Sequence, residues 1–245
     1  FLDKNNKTGH EILPVLEGLK KTALDLLFPL RCIECGKEGS LICAACYNRL
    51  PWILPPVCPF CGVGKPLDTP CNNCPVFETC IDGIRSPFRF EGTIRSAVHQ
   101  LKYRNLRAIA IPLAIMMADF AKENELPYDI IIPVPLHRKR LRERGYNQSE
   151  LLAKEFGKLT AVQIEKDCLI RHRHTPAQAI AKSIQERHYN LAEAFLCKNE
   201  CVCGKNVLLI DDVATSGATL DACAKALKSA GAVSVWGLTV ARDIR

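Results

Sequence analysis

The stretch "VLLIDDVATSGATL", residues 207–220, decides the fold. Its first four residues, Val207 to Ile210, are apolar and read as a strand buried on both faces. Two adjacent carboxylates, Asp211 and Asp212, follow at its carboxyl end. "ATSGAT" (214–219) is then a polar turn with one glycine, and "TLDACAKALKSAG" (219–231) carries apolar residues at helical spacing up to Gly231. Outward from this strand–turn–helix the pattern repeats. "GIRSPFRFEG" (83–92), "DIIIPVP" (129–135) and "VSVWGLTVAR" (233–242) read as strands. "TIRSAVHQLKY" (93–103), "RAIAIPLAIMMADFAKEN" (107–124) and "NQSELLAKEFGKLT" (147–160) read as helices, the last with Asn147 as its cap. Strands alternating with helices predict an α/β fold, a doubly wound and mostly parallel sheet, over residues 81–245.

In open α/β sheets, ligands bind beyond the carboxyl ends of the strands. The backbone N–H groups of Ala214, Thr215, Ser216, Gly217, Ala218 and Thr219 lead into a helix N-terminus, which favours an anion. Thr215, Ser216 and Thr219 add hydroxyl donors, so the turn suits a monophosphate. Asp211 and Asp212 can accept hydrogen bonds from two vicinal hydroxyls, and the whole describes a ribose 5-phosphate. The bland alternative is a pair of aspartates that merely cap a helix. The sequence has no G-x-x-x-x-G-K-[ST] and no G-x-G-x-x-G, so a P-loop and a dinucleotide fingerprint are excluded. "VLLIDDVATSGAT" resembles the phosphoribosyl pyrophosphate (PRPP) motif of type I phosphoribosyltransferases: four apolar residues, two acidic residues and a T-[TS]-G-x-T loop. The resemblance implies that Asp211 and Asp212 are the catalytic, ribose-holding pair, that 214–219 hold the 5-phosphate, and that Mg²⁺ enters with PRPP.

The chain has 245 residues, 48% of them hydrophobic and 24% charged, which is ordinary globular composition. No stretch approaches the roughly 18 consecutive apolar residues that span a bilayer, and no signal peptide opens the chain. The expectation is a cytoplasmic protein, not an integral membrane protein. The net charge of +7 is uneven. Residues 1–80 hold 8 basic and 8 acidic side chains, and residues 189–245 hold 6 of each. Residues 81–188 hold 19 basic against 12 acidic and carry the whole excess, which suits a polyanion or is simply a solvated basic surface.

Fourteen cysteines fall into two groups. Eight form C-x-x-C pairs: Cys32 and Cys35, Cys43 and Cys46, Cys58 and Cys61, Cys71 and Cys74. One C-x-x-C turn supplies two of the four thiolates that a structural zinc requires, so eight cysteines predict two Zn²⁺ sites. A disulfide framework is the competing reading, and a cytoplasmic chain argues against it. Which knuckle closes on which is left open. Residues 30–80, rich in Cys, Pro and Gly, are expected to form this module, preceded by an amphipathic helix within 1–29. Cys80 is a spare ligand or, like Cys168 and Cys223, a small buried residue, and Cys197, Cys201 and Cys203 have no role in this scheme.

The positive charge concentrates in "IIPVPLHRKRLRERGYNQSELLA" (131–153), where Arg138, Lys139, Arg140, Arg142 and Arg144 follow a strand end. Read as a loop, this run can neutralise pyrophosphate or nucleic acid, because the planar fork of arginine matches phosphate oxygens. "HQLKYRNLR" (99–107) adds Lys102, Arg104 and Arg107. His172, His174 and His188 lack carboxylates or thiols at ligand spacing and read as loop histidines. "FPLRC", the paired cysteines, "LKY", "PVPLHRKRLRERGYNQSELLA", "RHRHTPAQ" and "LLIDDVATSGATL" occur in the order seen in the ComF family, from about residue 26 to residue 242. The resemblance implies a double zinc ribbon joined to a type I phosphoribosyltransferase-like domain. It further implies a part in natural competence, with single-stranded DNA and competence proteins as partners. The loop reads T-S-G where T-T-G is commoner, and serine keeps the hydroxyl. Three functions stay open at this point: a competence protein with a PRPP-binding domain, an active phosphoribosyltransferase with an unknown acceptor, and a zinc-module scaffold. Stacking aromatics for a single strand would be Trp52, Phe60, Phe77, Tyr103 and Tyr146.

Overall fold

A computed structural model describes residues 29–66, 69–71, 74, 79–172, 194–198 and 200–244. The expected helix within 1–29, His174, His188, Phe77 and most of "RHRHTPAQ" lie outside the described residues. The chain forms two compact units, one up to Arg49 and one from Leu50 onward. The second cysteine tetrad therefore belongs to the same unit as the sheet, whereas composition alone places an edge near residue 80.

The larger unit is built on a parallel sheet of β1 (Gly83–Arg85), β2 (Phe88–Arg89), β3 (Ile130–Pro133), β6 (Asn206–Ala214) and β7 (Ser234–Arg242). The order is β1-β7-β6-β3, with β2 also on β7, and every pairing in this sheet is parallel. β4 (Leu169–Arg171) and β5 (Phe195–Cys197) form a separate antiparallel pair. The α/β class is the one expected.

The core follows the two-residue period of the strands. Ile130 and Ile132 on β3 and Val207 and Leu209 on β6 pack with Leu220, Ala224 and Leu227 of the helix Ala218–Ser229. Ile131, Leu208 and Ile210, fully buried between them in sequence, alternate with that set. Both faces are covered, which is why β3 and β6 read as unbroken apolar runs. Each such side chain stabilises the fold by roughly 1.5–3 kcal/mol through burial. The helices Ala110–Glu123 and Gln148–Thr160 pack on each other, and the second also lies against β3 and β6.

Three local features depart from the sequence reading, the first being that 83–92 holds two short strands, β1 and β2, and not one. β6 continues to Ala214, with Asp211 paired to Thr239 and Ala214 to Arg242, so the acidic pair lies within the strand, which runs past it instead of ending at it. The basic run is a short helix, Arg138–Arg144, and not a loop. Arg, Lys, Leu and Glu are good helix formers. His137 Nδ1 accepts from Lys139 N at the start, and Gly145 at φ 78° closes the end. Asn147 caps the next helix as expected, accepting from Ser149 N at 3.1 Å. Its Nδ2 donates to Val134 O at 3.0 Å, which ties that helix start to the end of β3.

Candidate functional site

The cysteine pairs close in sequence order. The Sγ atoms of Cys32, Cys35, Cys43 and Cys46 all lie within 4.8 Å of one another, and so do those of Cys58, Cys61, Cys71 and Cys74. A tetrahedron with Zn–S bonds of about 2.3 Å has sulfur–sulfur edges of about 3.8 Å. The separations are 3.6 Å for Cys35–Cys43, 3.5 Å for Cys58–Cys74 and 3.4 Å for Cys61–Cys71. Four thiols in each cluster fit one closed structural zinc and leave no ligand position open.

The second tetrad is fastened to the sheet. Gly62, at φ 69°, has no room for a side chain: a Cβ there would stand 2.5 Å from the carbonyl oxygen of Ile84 on β1. Ile84 N donates to Phe60 O at 2.8 Å, and Arg85 Nη2 donates to Pro59 O at 2.7 Å. Arg85 also lies over the Trp236 ring on β7, 4.9 Å from its centroid.

Asp211 lines a cavity of about 370 Å³ together with Lys102, Ala214, Thr215, Gly217, Ala218 and Thr219. Ser149 Oγ donates to Asp211 Oδ1 at 2.7 Å, and the backbone N–H of Asp212 donates to the same oxygen at 2.9 Å. Burial, and then the charge of Asp212, push the Asp211 carboxyl up to about 7. The Ser149 hydroxyl, Lys102 and the Asp212 N–H pull the other way and do not prevail. Asp212 is buried and meets Lys102 Nζ at 2.8 Å through Oδ2. That contact is an ion pair without an aligned hydrogen-bond donor, so the oxygen keeps unused acceptor capacity. The two carboxylates thus have different partners: Asp211 faces the cavity and Asp212 anchors the cation beside it.

Lys102 also lines a second cavity, of about 410 Å³, with Tyr103, Asn105, Arg140, Glu143, Arg144 and Tyr146. The structure therefore brings Lys102, Arg140 and Arg144 together. Arg138 and Arg142 line neither cavity and stay exposed on the helix. Arg144 lies over the Tyr103 ring at 5.4 Å and bonds Gln148, while Arg107 lies over the Tyr146 ring at 4.5 Å. Ser216 is half-buried, and its Oγ accepts from Ala218 N at 3.4 Å, so it caps the turn.

Sequence reasoning missed four contributors. Ser149 holds Asp211 from another element. Arg95 and His99 line the first cavity because they stand seven and three residues before Lys102, on one face of the helix Gly92–Tyr103. That spacing was legible. Arg242, on β7, is 2% exposed, and its Nε and Nη1 have no hydrogen-bond partner among the described residues. Its Nη1 would stand 3.9 Å from a Cβ at Gly217, so it lies behind the phosphate-sized turn. Burial lowers its pKa, and the thiols of the second tetrad oppose that shift.

The sequence matches the double zinc ribbon domain family over residues 23–75. The chain is 30% identical to competence protein F of Haemophilus influenzae, covering 86% of this chain and 97% of that protein. It is 29% identical to competence protein ComFC of Bacillus subtilis, covering 84% and 86%, and 30% identical to DNA utilization protein YhgH of Escherichia coli, covering 80% and 89%. Among solved structures it is similar to glutamine PRPP amidotransferase from B. subtilis, at 21% identity and a TM-score of 0.37, over 53% of this chain and 26% of that one. A purine phosphoribosyltransferase from Pyrococcus horikoshii is similar at 14% identity and a TM-score of 0.33, over 54% and 80%.

Proposed function

The chain belongs to the ComF family, and on that footing we propose that it binds PRPP with Mg²⁺ and takes part in handling single-stranded DNA, as a protein of natural competence. The observation that carries this reading is the position of Lys102. One ammonium pairs with Asp212 and lines both the cavity under the 214–219 turn and the cavity under Arg140 and Arg144.

In this reading the 5-phosphate lies on the N–H groups and hydroxyls of Thr215, Ser216 and Thr219, at the start of the helix Ala218–Ser229. The buried guanidinium of Arg242 adds positive charge behind them. Asp211 takes a ribose hydroxyl, and Asp212 holds Lys102 in place. The pyrophosphate and its Mg²⁺ lie toward Lys102, Arg140 and Arg144, where planar forks match phosphate oxygens. If the ribosyl bond is broken, the protein's part is to position the ligand and neutralise the leaving pyrophosphate. The two zincs are structural. Arg138, Lys139 and Arg142 point to solvent and offer phosphate contacts to a single strand. Among the described residues no helix is long and apolar enough to cross a membrane, and the reading takes the protein as cytoplasmic.

Titration calorimetry tests the site. Asp211→Asn and Asp212→Asn should each weaken PRPP·Mg²⁺, and Thr215→Ala should weaken ribose 5-phosphate as well. Equal PRPP binding by wild type and Asp212→Asn sinks the assignment. Pyrophosphate release with a candidate acceptor would make the protein an active transferase.

A further inference from the structure

Three cysteines outside the tetrads come together on the β4–β5 pair. Cys168 immediately precedes β4, Cys197 ends β5, and Cys201 sits in the 3-10 turn Glu200–Val202 that leads toward β6. Antiparallel pairing sets Leu169 opposite Cys197, and Lys198 N donates to Cys168 O at 2.8 Å. Cys168 Sγ consequently lies 3.3 Å from Cys197 Sγ and 2.7 Å from Cys201 Sγ. The shorter separation is inside van der Waals contact and above the roughly 2.05 Å of a disulfide bond. Cys168 is 0% exposed, while Cys197 and Cys201 are half-buried and reachable. Among the described residues, only the two tetrads bring three or more ligand atoms all within 4.8 Å of one another. Cys197 and Cys201 therefore stand on different sides of Cys168, not around a common ion.

We propose that Cys168 and Cys201 are a reversible thiol–disulfide pair, with Cys197 as a third thiol that competes for Cys168, and that the oxidant is a low-molecular-weight disulfide. Cys201 attacks one sulfur of the small disulfide, forming a mixed disulfide and expelling one small thiol that keeps the proton of Cys201. Cys168 then attacks the Cys201 sulfur and expels the second small thiol. Two protein thiols are oxidised to one disulfide, and the reagent is reduced to two thiols. Burial pushes the Cys168 thiol up, which fits it to the second, internal step rather than the first. Residues 168 and 201 are 33 apart in sequence, so the bond ties the start of β4 to the turn before β6. The inference stands on these sulfurs alone and not on the PRPP reading.

The test uses the full, zinc-loaded chain in graded mixtures of oxidised and reduced glutathione. Free thiols are alkylated, peptides are mapped, and zinc is counted in the same samples. The expected result is a Cys168–Cys201 linked peptide, lighter by two hydrogens, that grows with the oxidised fraction while both zincs stay bound. Cys201→Ser should move the link to Cys168–Cys197, and Cys203→Ser should leave it unchanged. Full alkylation of all three thiols at every ratio would overturn the proposal. So would a glutathione adduct on Cys201 that never resolves, or a third zinc that Cys201→Ser removes.

Discussion

The second cysteine tetrad and the acidic pair share one compact unit and are held by opposite means. Cys58 and Cys74, its outermost members, are 16 residues apart, and one metal ion would order all four ligands. Asp211 takes its hydrogen bond from Ser149, 62 residues away, and Asp212 takes its countercharge from Lys102 on yet another helix. A knuckle needs its neighbours and a zinc. The acidic pair needs the whole sheet to be in register. Among the described residues the two approach each other where the tetrad is fastened to β1, whose Ile84 side chain lies against Gly217, and where Arg242 lies behind the 214–219 turn.

The largest effect should come from the tetrads. Zinc binding in such sites supplies roughly 10–16 kcal/mol of apparent folding energy. Cys32→Ser and Cys58→Ser should each lose about one zinc per chain by metal analysis. Cys58→Ser should also reduce the thermal shift given by PRPP·Mg²⁺, because it frees the Phe60 contact with Ile84. Cys32, in the other unit, should leave that shift intact. Loss of PRPP stabilisation in both variants would erase the contrast.

The second effect is the Lys102–Asp212 pair, with side chains 22% and 4% exposed. Removing one partner of a largely buried pair costs about 3–5 kcal/mol, because the other charge stays behind. Lys102→Met should destabilise by somewhat less than this, given its partial exposure, with both zincs retained. Lys102→Met combined with Asp212→Asn should recover much of the loss in urea unfolding. A double variant as unstable as the single would show that the pair is not what holds Lys102.

This contrast also decides what was legible in the sequence. Strand β6, its turn and its helix are contiguous, so "VLLIDDVATSGATL" announces the architecture and the phosphate-sized loop. The tetrads are equally local. The basic run was misread as a loop because charge density masked an ordinary short helix with its own cap and Gly145 stop. Ser149, Arg242 and the Cys168–Cys201 contact were invisible for a different reason. Each meets its partner through strand pairing or helix packing, and nothing in the spacing of 33 or 62 residues signals it.

A third expectation concerns pH. The folded Asp211 carboxyl is raised from 3.8 to about 7, chiefly by burial. A raised carboxyl binds more protons when folded than when unfolded. Its stabilising contribution is therefore complete below about pH 4 and is lost as pH rises through about 7. The loss is at most about 4 kcal/mol, and less where water screens the half-buried group. Asp211→Asn should flatten that part of the stability curve, read over the pH values at which metal analysis still finds both zincs, because thiolate ligands release zinc in acid. An unchanged curve in Asp211→Asn would remove Asp211 as its source.

The smallest effect should separate two arginines on one short helix. Arg140 lines the second cavity with Lys102 and Arg144, whereas Arg142 is exposed outside it. If the helix tracks a nucleic-acid backbone, each phosphate contact adds roughly −0.7 to the slope of log affinity against log salt for single strands. Arg140→Glu plus Arg142→Glu should flatten the slope by about 1.4 and weaken all sequences alike, since phosphate contacts carry no sequence information. The single variants should then part. Arg142→Glu should weaken single-stranded DNA and spare PRPP. Arg140→Glu should weaken both, and PRPP should compete with DNA for the wild type, because the same guanidinium serves pyrophosphate and backbone. Filter binding across a salt series reads the first arm and calorimetry the second. Equal behaviour of the two variants towards PRPP would mean that the cavity geometry does not discriminate them. A double reversal with unchanged DNA affinity and slope would remove this helix from the nucleic-acid surface.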